Sequence, residues 1–187
     1  MNANNLFEGE LVRLSAEDPE KILEYMSKWN RDSEYWRLAM DEPVMWWSRR
    51  ENREYLEKML MDEHPDEFFF MNRTLDDDRV IGDIGLDGVL WNHGDAWVGI
   101  GIGERAYWGK GYGTDAMRVL LRYAFTELNL HRVSLGVFEY NPRAIRSYEK
   151  AGFVLEGRER EAVFRSGKRW DIIFMGILRE DWERINQ

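Results

Sequence analysis

YWGKGYGTDA, residues 107–116, decides how the rest of the chain is read. Glycines at 109, 111 and 113 alternate with Lys110 and Tyr112, and Thr114-Asp115 leads into an apolar-periodic segment. Glycine lets a backbone approach an anion closely, and a helix opening at Thr114 aims its N–H groups and dipole at a phosphate. A P-loop needs Ser or Thr directly after its lysine, and Gly111 stands there instead. The dinucleotide pattern G-x-G-x-x-[G/A] fits residues 111–116, but residues 101–106 fit it equally, so the match is cheap. That fold also wants strand–helix alternation and an acid about 20 residues on, and the order of elements here differs. A pyrophosphate cradle of another kind remains, beside the bland alternative of a glycine-rich turn without a ligand.

Downstream, Met117, Leu120, Leu121, Ala124, Phe125 and Leu128 recur at helical spacing, with Asp115, Arg118 and Arg122 on the outer face. RVSLGVFEY (132–140) reads as a strand. NPRAIRSYEKAG (141–152) reads as a short helix with an Asn cap, Pro in its first position and Gly at its end. Asn141, Ala144, Tyr148 and Ala151 then share one face, setting a cap amide and a phenol along one wall. A helix tyrosine can equally be core packing. Strands near 153–164 and 169–178 flank the turn RSGK, and REDWERI closes the chain.

Upstream, EFFFMNRTL (67–75), RVIGDIGLDGVLW (79–91) and AWVGIGIG (96–103) read as consecutive antiparallel strands joined by DDD and NHGD turns. ELVRLSA (10–16) is a first strand; Ser15 or Asp18 then starts a helix with Pro19 in its first turn and Ile22, Leu23, Met26 and Trp29 on one face. An aromatic connection (Tyr35, Trp36, Trp46, Trp47) precedes a second helix, opened by a Ser48–Glu51 capping box and carrying Tyr55, Leu56, Met59 and Leu60. The sum is an α+β plan, a mixed and mostly antiparallel sheet flanked by helices, in a single domain over residues 1–187.

Composition narrows the chemistry. The chain has 187 residues, 44% hydrophobic and 33% charged, which suits one soluble domain with its own core. No run approaches the roughly 18 apolar residues of a membrane helix, and MNANNLFEGE shows no secretory signal, so a cytoplasmic protein off the membrane is expected. Zero cysteines leave no disulfide, thiolate metal site or cysteine nucleophile. His64, His93 and His131 are too scattered to suggest a triad or zinc, so no metal is expected. A net charge of -9 argues against a nucleic-acid partner. Residues 105–150 nevertheless hold eight Lys/Arg against four acids. A basic centre in an acidic chain suits an anionic cofactor and a cationic substrate, although solvated helix faces give the same pattern.

Taken together, WGKGYGT (108–114) and NPRAIRSYEKAGF (141–153) resemble the GNAT superfamily of N-acetyltransferases, over roughly Val80 to Gly176. The form ERAYWGKGYGTDA resembles the branch of ribosomal-protein N-terminal acetyltransferases, with spermidine and aminoglycoside acetyltransferases as neighbours. The resemblance implies that Gly109, Gly111, Gly113 and Thr114 offer backbone N–H groups to the pyrophosphate of acetyl-CoA, within a loop that includes Trp108, Lys110 and Tyr112. Ile100, Gly101 and Ile102, on a splayed and bulged strand, would pair with pantetheine and polarise the thioester. Asn141 would bond the pantetheine arm, Tyr148 would protonate the leaving thiolate, and Lys110, Arg146 and Lys150 would reach the outer phosphates.

Two positions depart from that pattern. Trp108 replaces a Gln or Arg, and Gly136 stands where several relatives place an acid as base. An ammonium of pKa ~10 must lose a proton before it attacks, so another carboxylate is needed: Glu104 first, then Glu139, then Asp83. The acceptor pocket is expected among Tyr35, Trp36, Trp46, Trp47, Glu34, Asp41 and Glu42, faced by Phe164, Trp170 and Asp171. Aromatic walls with carboxylates suit a cation, whether a polyamine, an aminoglycoside or a protein N-terminus. The same rings would also serve a core or a homodimer interface. The implied activity is direct transfer of acetyl from acetyl-CoA to a primary amine; the alternative is a non-catalytic acetyl-CoA-binding sensor or interaction module, favoured by Gly136.

Overall fold

The computed structural model describes residues 5–61 and 66–186, apart from the side chains of 59–61. His64 and the expected helix-face positions of Met59 and Leu60 therefore lie outside the described residues. Strand β1 (Val12–Ser15) leads to helix α1 (Pro19–Trp29), and Asp18 rather than Ser15 caps it, accepting the Glu20 N–H at 2.9 Å. A helix the sequence pattern did not show, α2 (Ser33–Ala39), follows under an Asp32 cap that accepts the N–H groups of Glu34 and Tyr35. Seven residues give too few repeats for a helical period to stand out. Helix α3 (Arg49–Met61) opens with the expected reciprocal box: Ser48 N–H donates to Glu51 at 2.7 Å, and Glu51 N–H donates to Ser48 Oγ at 3.2 Å.

Strands β2 (Phe68–Thr74), β3 (Val80–Leu90) and β4 (Asp95–Ile102) form an antiparallel meander. The glycine loop, helix α4 (Tyr112–Thr126), strand β5 (Arg132–Phe138) and helix α5 (Pro142–Ala151) come next. Strands β6 (Val154–Arg165) and β7 (Lys168–Leu178) and helix α6 (Arg179–Ile185) complete the chain. The seven strands form one sheet in the order β1-β2-β3-β4-β5-β7-β6. Every pairing is antiparallel except β4 with β5, which α4 connects as a crossover. Among the described residues no helix is long and apolar enough to cross a membrane.

Two apolar clusters hold the helices to the sheet. Met117, Leu120, Leu121, Ala124 and Phe125 of α4 are 0% exposed and pack with Ile81, Ile84, Val133 and Leu135. At ~1.5–3 kcal/mol per large apolar side chain, this stripe is what fixes α4. Ile22, Leu23, Trp29, Tyr35 and Leu56, from α1, α2 and α3, pack with Met71 and Val80 in the second cluster.

The one parallel pairing decides where the site lies. Asp95–Trp97 pair with Arg132–Ser134, and beyond them β4 and β5 separate. Val98–Ile102 thus keep their bonds to β3 but leave a gap towards β5. The expected splay is present, but the expected bulge is not at 100–102: β3 and β4 run in continuous register from Gly82–Ile102 to Asp87–Trp97, and the register shifts only between Asp87 and Leu90.

Candidate active site

A cleft of about 340 Å³ fills the gap between β4 and β5. One end of it is the glycine loop. Gly109 (φ 70°) and Gly111 (φ 97°) adopt left-handed conformations that a side chain would strain. Gly111 caps α4 with no side-chain hydrogen bond, and Gly111, Gly113 and Thr114 line the cleft. An uncapped helix start presenting N–H groups beside open space is an anion site. Asp115, in the same turn, would oppose an anion, but its carboxylate is tied elsewhere, accepting the N–H groups of Glu10 (3.1 Å), Leu11 (2.7 Å) and Val12 (3.0 Å). That contact also pins β1 to the start of α4.

The opposite wall is α5. Asn141 spends its carbonyl on the Ala144 N–H at 3.2 Å and faces the cleft together with Ala144 and Tyr148, the shared face read from the sequence. Burial pushes the Tyr148 phenol up to about 12, so it stays protonated at neutral pH. Ser147, one residue earlier, bonds Thr114 at 2.7 Å between the two hydroxyls, joining this wall to the cradle. Arg146 and Lys150 also line the cleft.

Among the polar cleft residues, Tyr107, Arg143 and Ser147 escaped the sequence reading, as did the apolar Leu38, Ala39, Val98, Val137 and Phe138. The Trp108 indole donates to the Ile102 carbonyl at 2.5 Å, and the Arg143 guanidinium lies 4.0 Å from the centre of its ring. Burial lowers the Arg143 pKa, and the nearby Glu34 opposes that shift. The unusual tryptophan is thus a platform holding a cation in the cleft. The signal for Ser147 was its position three residues after Ala144; Arg143 carried none beyond its charge.

Several expected residues lie elsewhere. Lys110 and Tyr112 do not line the cleft, and the Tyr112 ring packs edge-on against Tyr107, 4.9 Å between centres. Glu104, the first choice as base, turns away because the chain at Gly103 packs on the Trp29 ring and delivers Glu104 to α1. There it pairs with Lys28 and accepts the Trp29 indole N–H at 3.0 Å. Burial would raise its pKa, but the Lys28 and Trp29 bonds outweigh this and hold it below the usual value. Glu139 accepts the Asp171 N–H at 3.3 Å and sits 3.6 Å from Arg158, also off the cleft. Gly136 does line the cleft, and a Cβ built there would meet only Ile172 and Phe174 at 3.6 Å and 3.8 Å, so the strand has room for the acid it lacks.

Asp83, the last choice, is placed differently. Pairing of β3 with β4 sets it beside Gly101. A Cβ on Gly101 would overlap the Tyr35 hydroxyl and fall 3.2 Å from Asp83 Oδ1, so the glycine is what lets these two groups stand against β4. Burial raises the Asp83 carboxyl to about 7, partly offset by its hydrogen bond with Tyr35. A carboxyl poised near neutrality is a usable base.

Asp83 opens into a second cavity of about 130 Å³, which shares Tyr35 with the cleft. Trp36, Trp47 and Tyr55 wall it as a chain of edge-on rings, 5.2 Å and 5.3 Å between successive centres. Glu42 reaches its rim, because Arg165 holds the carbonyls of Met40, Asp41 and Glu42 at 2.9, 2.8 and 2.6 Å. The lining thus joins aromatic rings with two carboxylates and no basic residue. Trp170 is on neither wall; it packs edge-on against Tyr140 and donates to the Arg165 carbonyl at 3.2 Å. Asp171 holds Arg158 and the Glu161 N–H, while Phe164 and Trp46 are 61% and 79% exposed and line neither space.

The model for the acetyltransferase (GNAT) domain matches residues 10–154. The probable N-acetyltransferase YjcK of Bacillus subtilis (strain 168) is 37% identical over 137 residues, covering 73% of this chain and 74% of that protein. The spermidine N(1)-acetyltransferase of Vibrio cholerae is 40% identical over 74 residues, 40% of this chain and 43% of that one. Among solved structures, spermidine N-acetyltransferase from Vibrio cholerae in complex with CoA and spermine superposes with a TM-score of 0.80, at 28% identity, over 92% of this chain and 98% of that chain. Cleft, cradle and family match agree, and the chain belongs to the GNAT acetyltransferase family as an N-acetyltransferase.

Proposed function

We propose that acetyl-CoA binds in the cleft, with its pyrophosphate at the Gly109–Thr114 cradle, and that its acetyl group passes directly to a primary amine drawn from the aromatic cavity. The cradle's left-handed glycines and uncapped α4 start fit a pyrophosphate, and Arg143, Arg146 and Lys150 add positive charge along the same space. Tyr148 serves as general acid for the thiolate, and Asp83 takes the proton that the ammonium must lose. The observation carrying this reading is the arrangement at the strand opening: one cleft holds the glycine loop, Gly101 and the Tyr148 phenol, and the Asp83 carboxyl stands beside Gly101 on the next strand. With a base available at Asp83, Gly136 no longer argues for a non-catalytic sensor.

For the acceptor we favour a polyamine. The cavity is narrow, ringed by Trp36, Trp47 and Tyr55, and carries Asp83 inside and Glu42 at the rim. Rings and carboxylates attract ammonium groups by cation–π and charge, and a linear alkylamine fits where a sugar ring is cramped. The neighbour solved with CoA and spermine supports the same class. A relative called a putative ribosomal N-acetyltransferase, 35% identical over 86 residues, keeps a protein N-terminus as the second reading. A thiol-release assay with acetyl-CoA over linear polyamines, aminoglycosides and N-terminal peptides tests both: polyamines should give the highest kcat/KM. Preference for peptides would select the second reading, and silence across the panel would restore the sensor.

A further inference from the structure

The proposed base and the proposed reaction centre do not share a space. Asp83 lines the aromatic cavity and is not part of the cleft wall, whereas Ile100, Gly101 and Tyr148 line the cleft. Tyr35 lines both. Its hydroxyl overlaps the place that a Cβ on Gly101 would take, and Asp83 Oδ1 lies 3.2 Å from the same point, so phenol and carboxyl stand side by side over that residue of β4. The ring is 9% exposed, held by α2 and by Trp29, 6.4 Å between ring centres, so the hydroxyl has a fixed position.

We propose that Tyr35 is a catalytic residue whose hydroxyl relays the proton of the attacking amine from the cleft to Asp83. This rests on the acetyl-transfer reading above and adds a route to it. In the first step an ammonium N–H bond breaks and its proton joins the Tyr35 oxygen, while the proton of Tyr35 passes to the Asp83 carboxylate. The freed nitrogen lone pair forms the C–N bond to the acetyl carbon and the C–S bond breaks. The thiolate takes the Tyr148 proton, and the second proton shed by nitrogen restores Tyr148. Ammonium and acetyl-CoA thus give amide, thiol and one proton, which leaves through Tyr35 to Asp83.

The surroundings suit a relay. Burial, followed by the charge of Asp83 and by Tyr55, raises the Tyr35 pKa well above the ordinary phenol value, so Tyr35 can only pass a proton on and does not lose one. Tyr55 from α3 and Glu42 from the segment after α2 are the other titratable groups lining the cavity; Met26 and Trp29 of α1 and Asn30 just after it are uncharged.

The test compares Tyr35→Phe, Asp83→Asn and the double variant, with CoA binding and thermal unfolding as checks on the fold. The expected result is a kcat lowered about tenfold to a hundredfold by Tyr35→Phe, with the KM for acetyl-CoA unchanged. The rise and plateau of kcat/KM near pH 7 should give way to a rate that keeps rising with pH, as the free amine attacks unaided. Removing both groups should cost no more than removing one, because a relay fails as a unit. Full loss in Asp83→Asn with an unchanged pH profile in Tyr35→Phe would overturn the relay and leave Asp83 as a direct base. Full activity in Asp83→Asn would overturn the relay and the base together, with acetyl transfer itself still standing, whereas no turnover by the unaltered enzyme on any amine would overturn the acetyl-transfer reading. Should Tyr35→Phe not fold, a proton inventory on the unaltered enzyme with a slow acceptor decides. Curvature from two protons in flight is expected, and a straight line refutes the relay.

Discussion

Replacing Asp83 by Asn should stabilise the protein, and the gain should grow with pH. In the folded chain the carboxyl titrates at about 7; its ordinary value is 3.8. Below the ordinary value both states hold the proton and the group is neutral towards folding. Between 3.8 and about 7 the unfolded chain ionises first, so stability falls as pH rises; above about 7 the loss is complete and constant. Three units at ~1.36 kcal/mol each set a ceiling of roughly 4 kcal/mol. Asn keeps an acceptor for the Tyr35 hydroxyl and removes the charge.

Urea unfolding of both proteins at pH 5.5 and pH 8 reads the effect. The advantage of Asp83→Asn should be larger at the higher pH by about 2 kcal/mol, near a 1 M displacement of the urea midpoint for an m value of ~2 kcal/mol/M. The same variant should lose kcat by roughly a hundredfold or more, as a missing base would. Parallel stability profiles would show that Asp83 ionises like a surface carboxylate. The argument for its role as base would then fail whatever the variant's activity.

Four further outcomes follow from the geometry. Tyr148→Phe should lower kcat by roughly ten- to a thousandfold with little change in the KM for acetyl-CoA, measured by thiol release. Gly101→Ala should leave CoA binding intact and abolish most turnover, because its methyl displaces the Tyr35 hydroxyl from Asp83; calorimetry and steady-state rates separate the two effects. Arg143→Ala should raise the KM for acetyl-CoA several-fold and flatten its salt dependence, removing a cation from the cleft. Leu120→Ala, at a position 0% exposed in the α4 stripe, should destabilise by ~2–5 kcal/mol in denaturant titration.

The cofactor half was legible because it is local. A cradle needs glycines and a helix start within a few residues, and the α5 wall needs only the spacing of Asn141, Ala144 and Tyr148; both are periodic or contiguous features. The acceptor half is assembled across the chain. Asp83 in VIGDIGLDGVL looks like any polar position of an alternating strand. Its burial depends on Tyr35 from a helix too short to announce itself, and its place beside the strand opening on the β3–β4 register. Glu104 looked better because it follows β4 directly, but the Gly103–Trp29 contact turns it towards Lys28. Lys110 and Tyr112 alternate with the loop glycines, and their side chains lie off the cleft wall.

The placement of acid and base has a consequence for the enzyme as a whole. If the acid were removed from β5 with nothing in its place, the amine would meet the thioester still protonated. Under the proposed mechanism Gly136 is compatible with catalysis, because another glycine, Gly101, leaves room for the Asp83 carboxyl from the other neighbouring strand. A carboxyl on β5 at Gly136 would stand against Ile172 and Phe174, on a strand that lines the cleft. Asp83 instead lies behind Tyr35 in a cavity walled by Trp36, Trp47 and Tyr55, where desolvation brings its pKa near neutrality. The desolvation that raises the Asp83 carboxyl, and that would let it accept a proton in the proposed reaction, also destabilises the fold above the ordinary carboxylate range. The proposal therefore predicts that activity and stability oppose one another at this one side chain. A buried bystander would show the gain in stability without the loss of turnover, and a surface carboxylate would show neither, so the two changes of opposite sign in Asp83→Asn test the base more sharply than loss of activity alone.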